Sequence, residues 1–230
     1  MTDILDLHRN IWRNKKILQK IYFEWYKKIV KDMKEGKTLE IGSGSGNFKE
    51  FKKDIITSDI CKKPWIDKCF DAHNIPFKNQ SLDNIVMIDV LHHLQSPMKF
   101  LKEAERVLVK GGKIIMVEPY PSFFSLQIYR KFHPEPFIMN ENSEVPNQAF
   151  PYLIFYKNLG KFNKILGSKF IILKKEEFSF LLYPLSGGFE HRQLFPDKLF
   201  KFLQIFEIIL KPFRKLLAFR CYIVLEKRYT

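Results

Sequence analysis

Glu40-Ile41-Gly42-Ser43-Gly44-Ser45-Gly46 decides the reading of this 230-residue chain. The apolar stretch from Thr38 to Ile41 reads as a short strand feeding a glycine loop, and Phe48 to Phe51 belongs to the helix beyond it. Glycines in such a loop permit positive φ and let backbone approach a ligand closely, while the helix start offers free N–H groups. A dinucleotide-binding loop needs GxGxxG, so that pyrophosphate rests on the helix N-terminus. Here the third glycine comes one residue early, at Gly46, and position 47 is Asn, which weighs against an NAD-dependent oxidoreductase. Glu40, at the end of the strand, suits another ligand, because a carboxylate there can pair with an ammonium group.

Outward from the loop, strands and helices alternate. Upstream, Ile11, Ile17, Ile21, Tyr22, Trp25, Ile29 and Met33 recur at helical spacing over residues 4–35, as one helix or two, ended by Glu35-Gly36. Downstream, strands are expected at Ile55 to Ser58, Ile66 to Phe70, Asn84 to Ile88 and Lys113 to Val117, each with a carboxylate at or beside its end: Asp59, Asp71, Asp89 and Glu118. Ser96-Pro97 opens a helix that runs to about Leu108 and is closed by Gly111-Gly112. This alternation predicts a doubly wound, mostly parallel α/β sheet, in which ligands bind at the carboxyl ends of the strands. Residues 119–168 break the rhythm with prolines among aromatics and read as a cap over the pocket. Two last strands, Phe170 to Leu173 and Cys221 to Glu226, flank a helix over Asp197 to Leu210. The expected organisation is an N-terminal helical segment 1–36, a cofactor-binding core 37–118, the cap 119–168, and a C-terminal part of the same sheet, 169–230, carrying an amphipathic helix.

The pattern ExGxGxG, with Asp59 nineteen residues after Glu40, resembles the first motif and ribose-binding partner of class I S-adenosylmethionine-dependent methyltransferases. The resemblance extends over residues 38–118 and includes FDAHNIPFKNQSLDNIVMIDVLHHL and FLKEAERVLVKGGKIIMVEP. The second string is similar to the helix, glycine turn and fifth strand of the subgroup with ubiquinone-pathway, glycan and lipid methyltransferases. The resemblance implies a Rossmann-like sheet of about seven strands, mostly parallel with an antiparallel last strand, and S-adenosylmethionine as cofactor. It also implies roles. Gly42, Ser43, Gly44 and Gly46 pass under the methionine moiety, with Glu40 near its amino group or the loop's own N–H groups. Asp59 accepts both ribose hydroxyls, Ile60 lies against adenine, Asp71 accepts from the adenine amino group beside Ala72, and Asp89 lies near the methionine end. For each Asp, a helix cap or turn role is the alternative.

The sulfonium is already activated, so the protein must align the acceptor, exclude water and remove a proton where the nucleophile needs it. His92 and His93, just past the fourth strand, are the candidate bases, because histidine titrates near neutral pH. Being adjacent, they cannot point the same way, and packing or capping is the alternative for each. No carboxylate spacing supports a third metal ligand, so no metal is expected. Tyr120, His133, Glu135 and Tyr183 are candidates for the acceptor pocket. Tyr22, Trp25 and Tyr26 are candidates to close over the cofactor, or plain core.

Apolar residues make up 46% of the chain, enough for a sizeable core, and the three cysteines form no CxxC pair, as expected in a reducing cytosol. The N-terminus lacks a signal-peptide layout, and no uncharged apolar run approaches the roughly 20 residues of a membrane span. The net charge of +14 attracts polyanions or reflects solvated lysines. Neither an Asn-Pro-Pro-Tyr-type loop nor a Pro-Cys nucleophile marks a nucleic-acid base methyltransferase. A small-molecule, glycan or lipid-linked acceptor fits better, and a non-catalytic cofactor-binding partner protein is a further alternative. The stretch LFKFLQIFEIILKPFRKLLAFR reads either as a helix lying on an anionic membrane or as a core helix with a basic solvated face. The chain is accordingly expected to be cytoplasmic, with peripheral membrane contact as an option.

Overall fold

The computed structural model describes residues 3–132, 136–140 and 145–229. The N-terminal helical segment is two helices, α1 (Ile4–Asn14) and α2 (Lys16–Asp32), broken at Lys15. The core then runs β1 (Thr38–Ile41), α3 (Asn47–Phe51), β2 (Ile55–Asp59), β3 (Lys68–Cys69), β4 (Leu82–Ile88), α4 (Pro97–Val107) and β5 (Leu108–Pro119). There follow α5 (Phe123–Phe132), the short turn α6 (Phe150–Tyr152), a wide helical turn Leu153–Lys157, and α7 (Leu159–Leu166). The chain ends with β6 (Phe170–Phe178), α8 (Leu182–Ser186), α9 (Phe200–Leu210), α10 (Arg214–Leu217) and β7 (Arg220–Lys227).

The seven strands form one sheet in the order β3-β2-β1-β4-β5-β7-β6. β1 to β5 pair in parallel, and β7 is antiparallel to both of its neighbours, β5 and β6. The expected Rossmann-like sheet with an antiparallel last strand is therefore present. Strict alternation divides the central strands between two cores. Ile85, Met87, Ile114, Met116, Ile223 and Leu225 face α4 and α7, whereas Val86, Ile115, Val117, Tyr222 and Val224 face α2 and α3. Helices thus cover both faces, and strands so placed carry continuous apolar runs. Asn84 locks the entry to β1: its amide donates to the Lys34 carbonyl at 2.7 Å and its oxygen accepts from the Lys34 N–H at 2.8 Å.

Several boundaries differ from those expected. β3 is only two residues long, because Asp67 turns aside to accept from the Thr57 N–H at 2.9 Å and its hydroxyl at 3.0 Å. β5 begins at Leu108 and passes through Gly111, whose φ of +70° marks an irregularity inside the strand rather than a helix end. Within 119–168, expected as a cap, Pro146 reaches the cavity described below, whereas Phe155, Phe162 and Leu166 lie in the main core.

Candidate cofactor-binding site

The loop after β1 folds back on the sheet through its own backbone. Ser43 N–H donates to the Ser58 carbonyl at 2.8 Å, and Gly46 N–H donates to the Ser43 carbonyl at 2.7 Å. Gly42, Gly44 and Gly46 all have positive φ, but their surroundings differ. A Cβ on Gly42 would lie 2.5 Å from Val90 Cγ2, and one on Gly46 would lie 2.8 Å from Trp65 Cδ1. One on Gly44 would meet nothing closer than Leu5 Cδ2 at 3.9 Å, so that position opens into empty space. Trp65 Nε1–H donates to the Gly44 carbonyl at 2.9 Å. The Arg9 guanidinium covers the Trp65 ring at 4.4 Å and bonds the Ser45 carbonyl, clamping the loop from α1.

Above the loop, at the carboxyl ends of β1, β2 and β4, lies a cavity of about 590 Å³. That is within the range of small-molecule sites. Glu40, Gly42, Ser43, Gly44, Asp59, Ile60, Asp71, Ala72, Asp89, His93 and Tyr183 line it, all expected. Gly46, His92 and Tyr120 do not line it, and His133 and Glu135 lie outside the described residues. Tyr22 and Tyr26 of α2 form part of the wall, while Trp25 packs beside Tyr183.

Glu40 is buried, and its Oε2 has no hydrogen-bond partner. Burial pushes its carboxyl up to about 8; the neighbouring Asp59 charge adds to this, and Ser43 and Lys49 oppose it. Asp59 is already half engaged: Oδ2 accepts from the Gly44 N–H at 2.9 Å and Oδ1 from the Cys61 N–H at 3.0 Å. An ionised carboxylate has about four acceptor sites, so each oxygen keeps capacity for a ligand hydroxyl. Ile60 and Ala72 both line the cavity, Ile60 exposed and Ala72 buried.

Asp71 is committed to a turn. It accepts from the His73 N–H at 2.8 Å and pairs with His73 Nδ1 at 2.6 Å. The His73 backbone N–H, followed by its ring, holds the Asp71 carboxyl below its ordinary value against burial. Asp89 adopts a φ of +56° and forms an ion pair with Arg220 at 3.1 Å. Burial nevertheless raises its carboxyl, with Glu118 adding to the shift and Arg220 and His92 opposing it. Arg220, at the start of β7, is buried with its guanidinium 4.4 Å over the Tyr183 ring.

Contrary to the expectation that adjacent histidines diverge, the His92 and His93 ring centroids lie 4.0 Å apart, but their surroundings differ. His92 is buried against Glu118, whose Oε1 also accepts from the Val90 N–H at 3.0 Å and the Leu91 N–H at 2.7 Å. His93 faces the cavity. Tyr120 does not line this cavity; it packs in the core beneath α4 and α7, 5.1 Å from the Tyr156 ring. The argument from spacing against a third metal ligand is also corrected, since Asp89, His92 and Glu118 bring one ligand atom each within 4.8 Å of one another. Arg220 pairs with Asp89 and His92 bonds Glu118, so these groups already serve one another. Leu5, His8, Gln95 and Phe189 also line the cavity without having been anticipated. The helical periodicity read from Ile11 onward did not include Leu5, and nothing local marked Arg220.

Residues 39–116 match the family model of the methyltransferase domain. The matched segment holds the glycine loop, Asp59, Asp71 and Asp89. A match of 34% identity over 107 residues links the chain to an uncharacterised protein of Methanocaldococcus jannaschii, covering 42% of this chain and 51% of that one. A Bos taurus protein named "Probable tRNA methyltransferase 9B" is 29% identical over 105 residues, 39% of this chain and 23% of its own length. The matches thus span about half or less of these relatives. Among solved structures, a SAM-dependent methyltransferase from Archaeoglobus fulgidus superposes with a TM-score of 0.58 over 91% of this chain and 94% of its own, at 18% identity. That likeness establishes the shared fold.

Proposed function

We propose that the chain is an S-adenosylmethionine-dependent methyltransferase that transfers a methyl group directly to an O, N or C nucleophile of a small-molecule, glycan or lipid-linked acceptor. The observation that carries this reading is the partnerless, buried Oε2 of Glu40 in the cavity that Gly44 also lines. A buried carboxylate oxygen without a donor is costly and suits a ligand that brings a cation or hydroxyl. The residues present therefore fit a nucleoside with a cationic amino-acid tail. The Gly42–Gly46 backbone would hold the tail, Glu40 its ammonium, Asp59 the ribose hydroxyls, and Ile60 and Ala72 the adenine. When bound, the cofactor supplies an already activated methyl group.

The chain's own work is positioning, desolvation and proton acceptance. Leu5, Tyr22 and Tyr26, from α1 and α2, cover the cavity and keep water from the reacting atoms. His93, on the cavity wall, takes the acceptor's proton where one must leave. A nucleic-acid acceptor is the second reading, supported by the bovine relative's name and the net charge of +14. Calorimetry with S-adenosylhomocysteine tests the cofactor assignment: saturable one-to-one binding is expected, without binding of NAD. Absence of binding, or a preference for NAD, overturns it.

A further inference from the structure

α9 is turned inside out for a helix on a globular domain. Phe202, Ile205, Phe206, Ile208 and Ile209 are exposed, Ile208 to 71%, while Phe200 is its buried residue. The carboxylate of the helix points inward instead. Glu207 Oε1 accepts the N–H groups of Phe180, Leu181 and Leu182, each at 2.9 Å, which anchors α9 to the start of α8. A surface helix normally buries its apolar stripe and exposes its charges. The exposed band continues through Phe213 and Leu216 to α5, which packs against α10 and exposes Phe123, Phe124 and Ile128. An exposed apolar area assembled from segments so far apart in the chain marks an interaction surface.

Cations surround it. Lys198, Lys201, Lys211 and Lys215 are exposed on or beside the same helices; Asp197 adjoins Lys198 and Glu176 lies near Lys211, while Glu207, the one acid within α9, is spent on α8. We propose that this face docks on an anionic lipid bilayer. α9 lies in the interface plane with Ile205, Ile208 and their aromatic neighbours among the acyl chains and the lysines at the headgroups. At 11 residues α9 is about 16 Å long, far short of a roughly 30 Å hydrocarbon core. Among the described residues no helix is long and apolar enough to cross a membrane, so the contact is peripheral. Charge argues for this occupant over a second copy, because two chains of net charge +14 meeting through basic faces repel. The apolar side chains argue against nucleic acid, whose phosphates call for polar donors where this face presents Ile and Phe. Through Glu207 the docked helix is tied to α8, whose Tyr183 lines the cavity, so the membrane face and the cavity share a wall.

This inference rests on surface chemistry and does not depend on methyl transfer. The test is co-sedimentation of the full chain with vesicles of phosphatidylcholine containing phosphatidylglycerol, and with vesicles of phosphatidylcholine alone. Binding to the anionic vesicles at low salt is expected, weakened by added salt. The double variant Ile205→Ser/Ile208→Ser, in exposed positions, is expected to keep its melting curve and its S-adenosylhomocysteine binding. Its vesicle affinity should fall about tenfold or more. Lys211→Gln and Lys215→Gln should each lower that affinity about fivefold. Absence of sedimentation with anionic vesicles overturns the proposal, as does binding that the serine variant leaves unchanged. A concentration-dependent dimer that the serine variant dissolves, with no vesicle binding, assigns the face to a second copy and likewise overturns it.

Discussion

His92 Nδ1 lies 2.7 Å from Glu118 Oε2, with both side chains buried at the carboxyl ends of β4 and β5. Burial alone would raise the Glu118 carboxyl. The His92 bond and charge, together with the Leu91 and Val90 N–H groups, outweigh it and hold the carboxyl below its ordinary value. His92 therefore braces the turn that presents its neighbour, and His93 is left as the imidazole on the cavity wall.

The two histidines should separate in experiment. His92→Ala removes one partner of a buried carboxylate, which costs about 1–3 kcal/mol, so a lower Tm is expected. His93→Ala should leave Tm within about 1 °C, since surface substitutions usually stay within ±0.5 kcal/mol. It should lower kcat about 10²-fold or more if it accepts a proton. Thermal melts and single-turnover rates on the two variants decide the assignment. Equal activity loss without destabilisation in His92→Ala would reverse it.

Asp59 links the loop to the second strand through Gly44 and still has acceptor capacity facing the cavity. Asp59→Ala should weaken S-adenosylhomocysteine binding about tenfold to a hundredfold, from the loss of hydrogen bonds to a charged group worth about 1.5–3 kcal/mol. Asp59→Asn should fall between, because it keeps one acceptor oxygen. Calorimetry on both variants measures the series, and an unchanged dissociation constant in Asp59→Ala would sink the ribose assignment.

Much of this was legible locally. The glycine loop, Asp59 and the buried strands are written in short windows, where apolar runs, turn residues and strand ends follow one another. What was not legible depended on partners brought from a distance. Asp71 could serve a ligand or its own turn, and His73 two residues on takes it. Tyr120 follows β5, and only its packing against Tyr152 and Tyr156 shows that it leaves the cavity. Arg220 meets Asp89 because β7 is inserted between β5 and β6, a pairing no local pattern records. For α9 the periodicity identifies an apolar stripe but not which side faces out; the bonds from Glu207 to α8 decide that.

Gly42 and Gly44 should respond differently to the same substitution. At Gly42 an added Cβ would lie 2.5 Å from Val90 Cγ2, in a backbone of φ +66°. Overpacking of about 1–3 kcal/mol and left-handed strain of about 1–2 kcal/mol should together lower the Tm of Gly42→Ala. At Gly44 the Cβ points into open space, so Gly44→Ala should bear mainly the backbone strain. Its methyl group would occupy the cradle, and loss of S-adenosylhomocysteine binding should exceed loss of stability. Melting curves and calorimetry on the pair check this contrast.

Glu40 should make both stability and binding depend on pH. Its carboxyl is raised from 4.5 to about 8, chiefly by burial. Between those values the folded protein keeps a proton that the unfolded chain releases, so νU − νN is negative and stability falls as pH rises. The contribution is fully present below about 4.5 and is lost by the time pH passes 8. Its size is on the order of a few kcal/mol. Glu40→Gln stays neutral throughout, so its urea-unfolding free energy should lose this downward slope and exceed that of the native chain above pH 8. The ligand reverses the preference, because an ammonium beside Oε2 favours the ionised carboxylate. Binding of S-adenosylhomocysteine near pH 7 should therefore release about one proton, seen as a dependence of the calorimetric heat on buffer ionisation enthalpy. Glu40→Gln should abolish that dependence and bind more weakly. A native chain whose binding heat is the same in phosphate and Tris would show that Glu40 serves the loop and not the ligand's ammonium group.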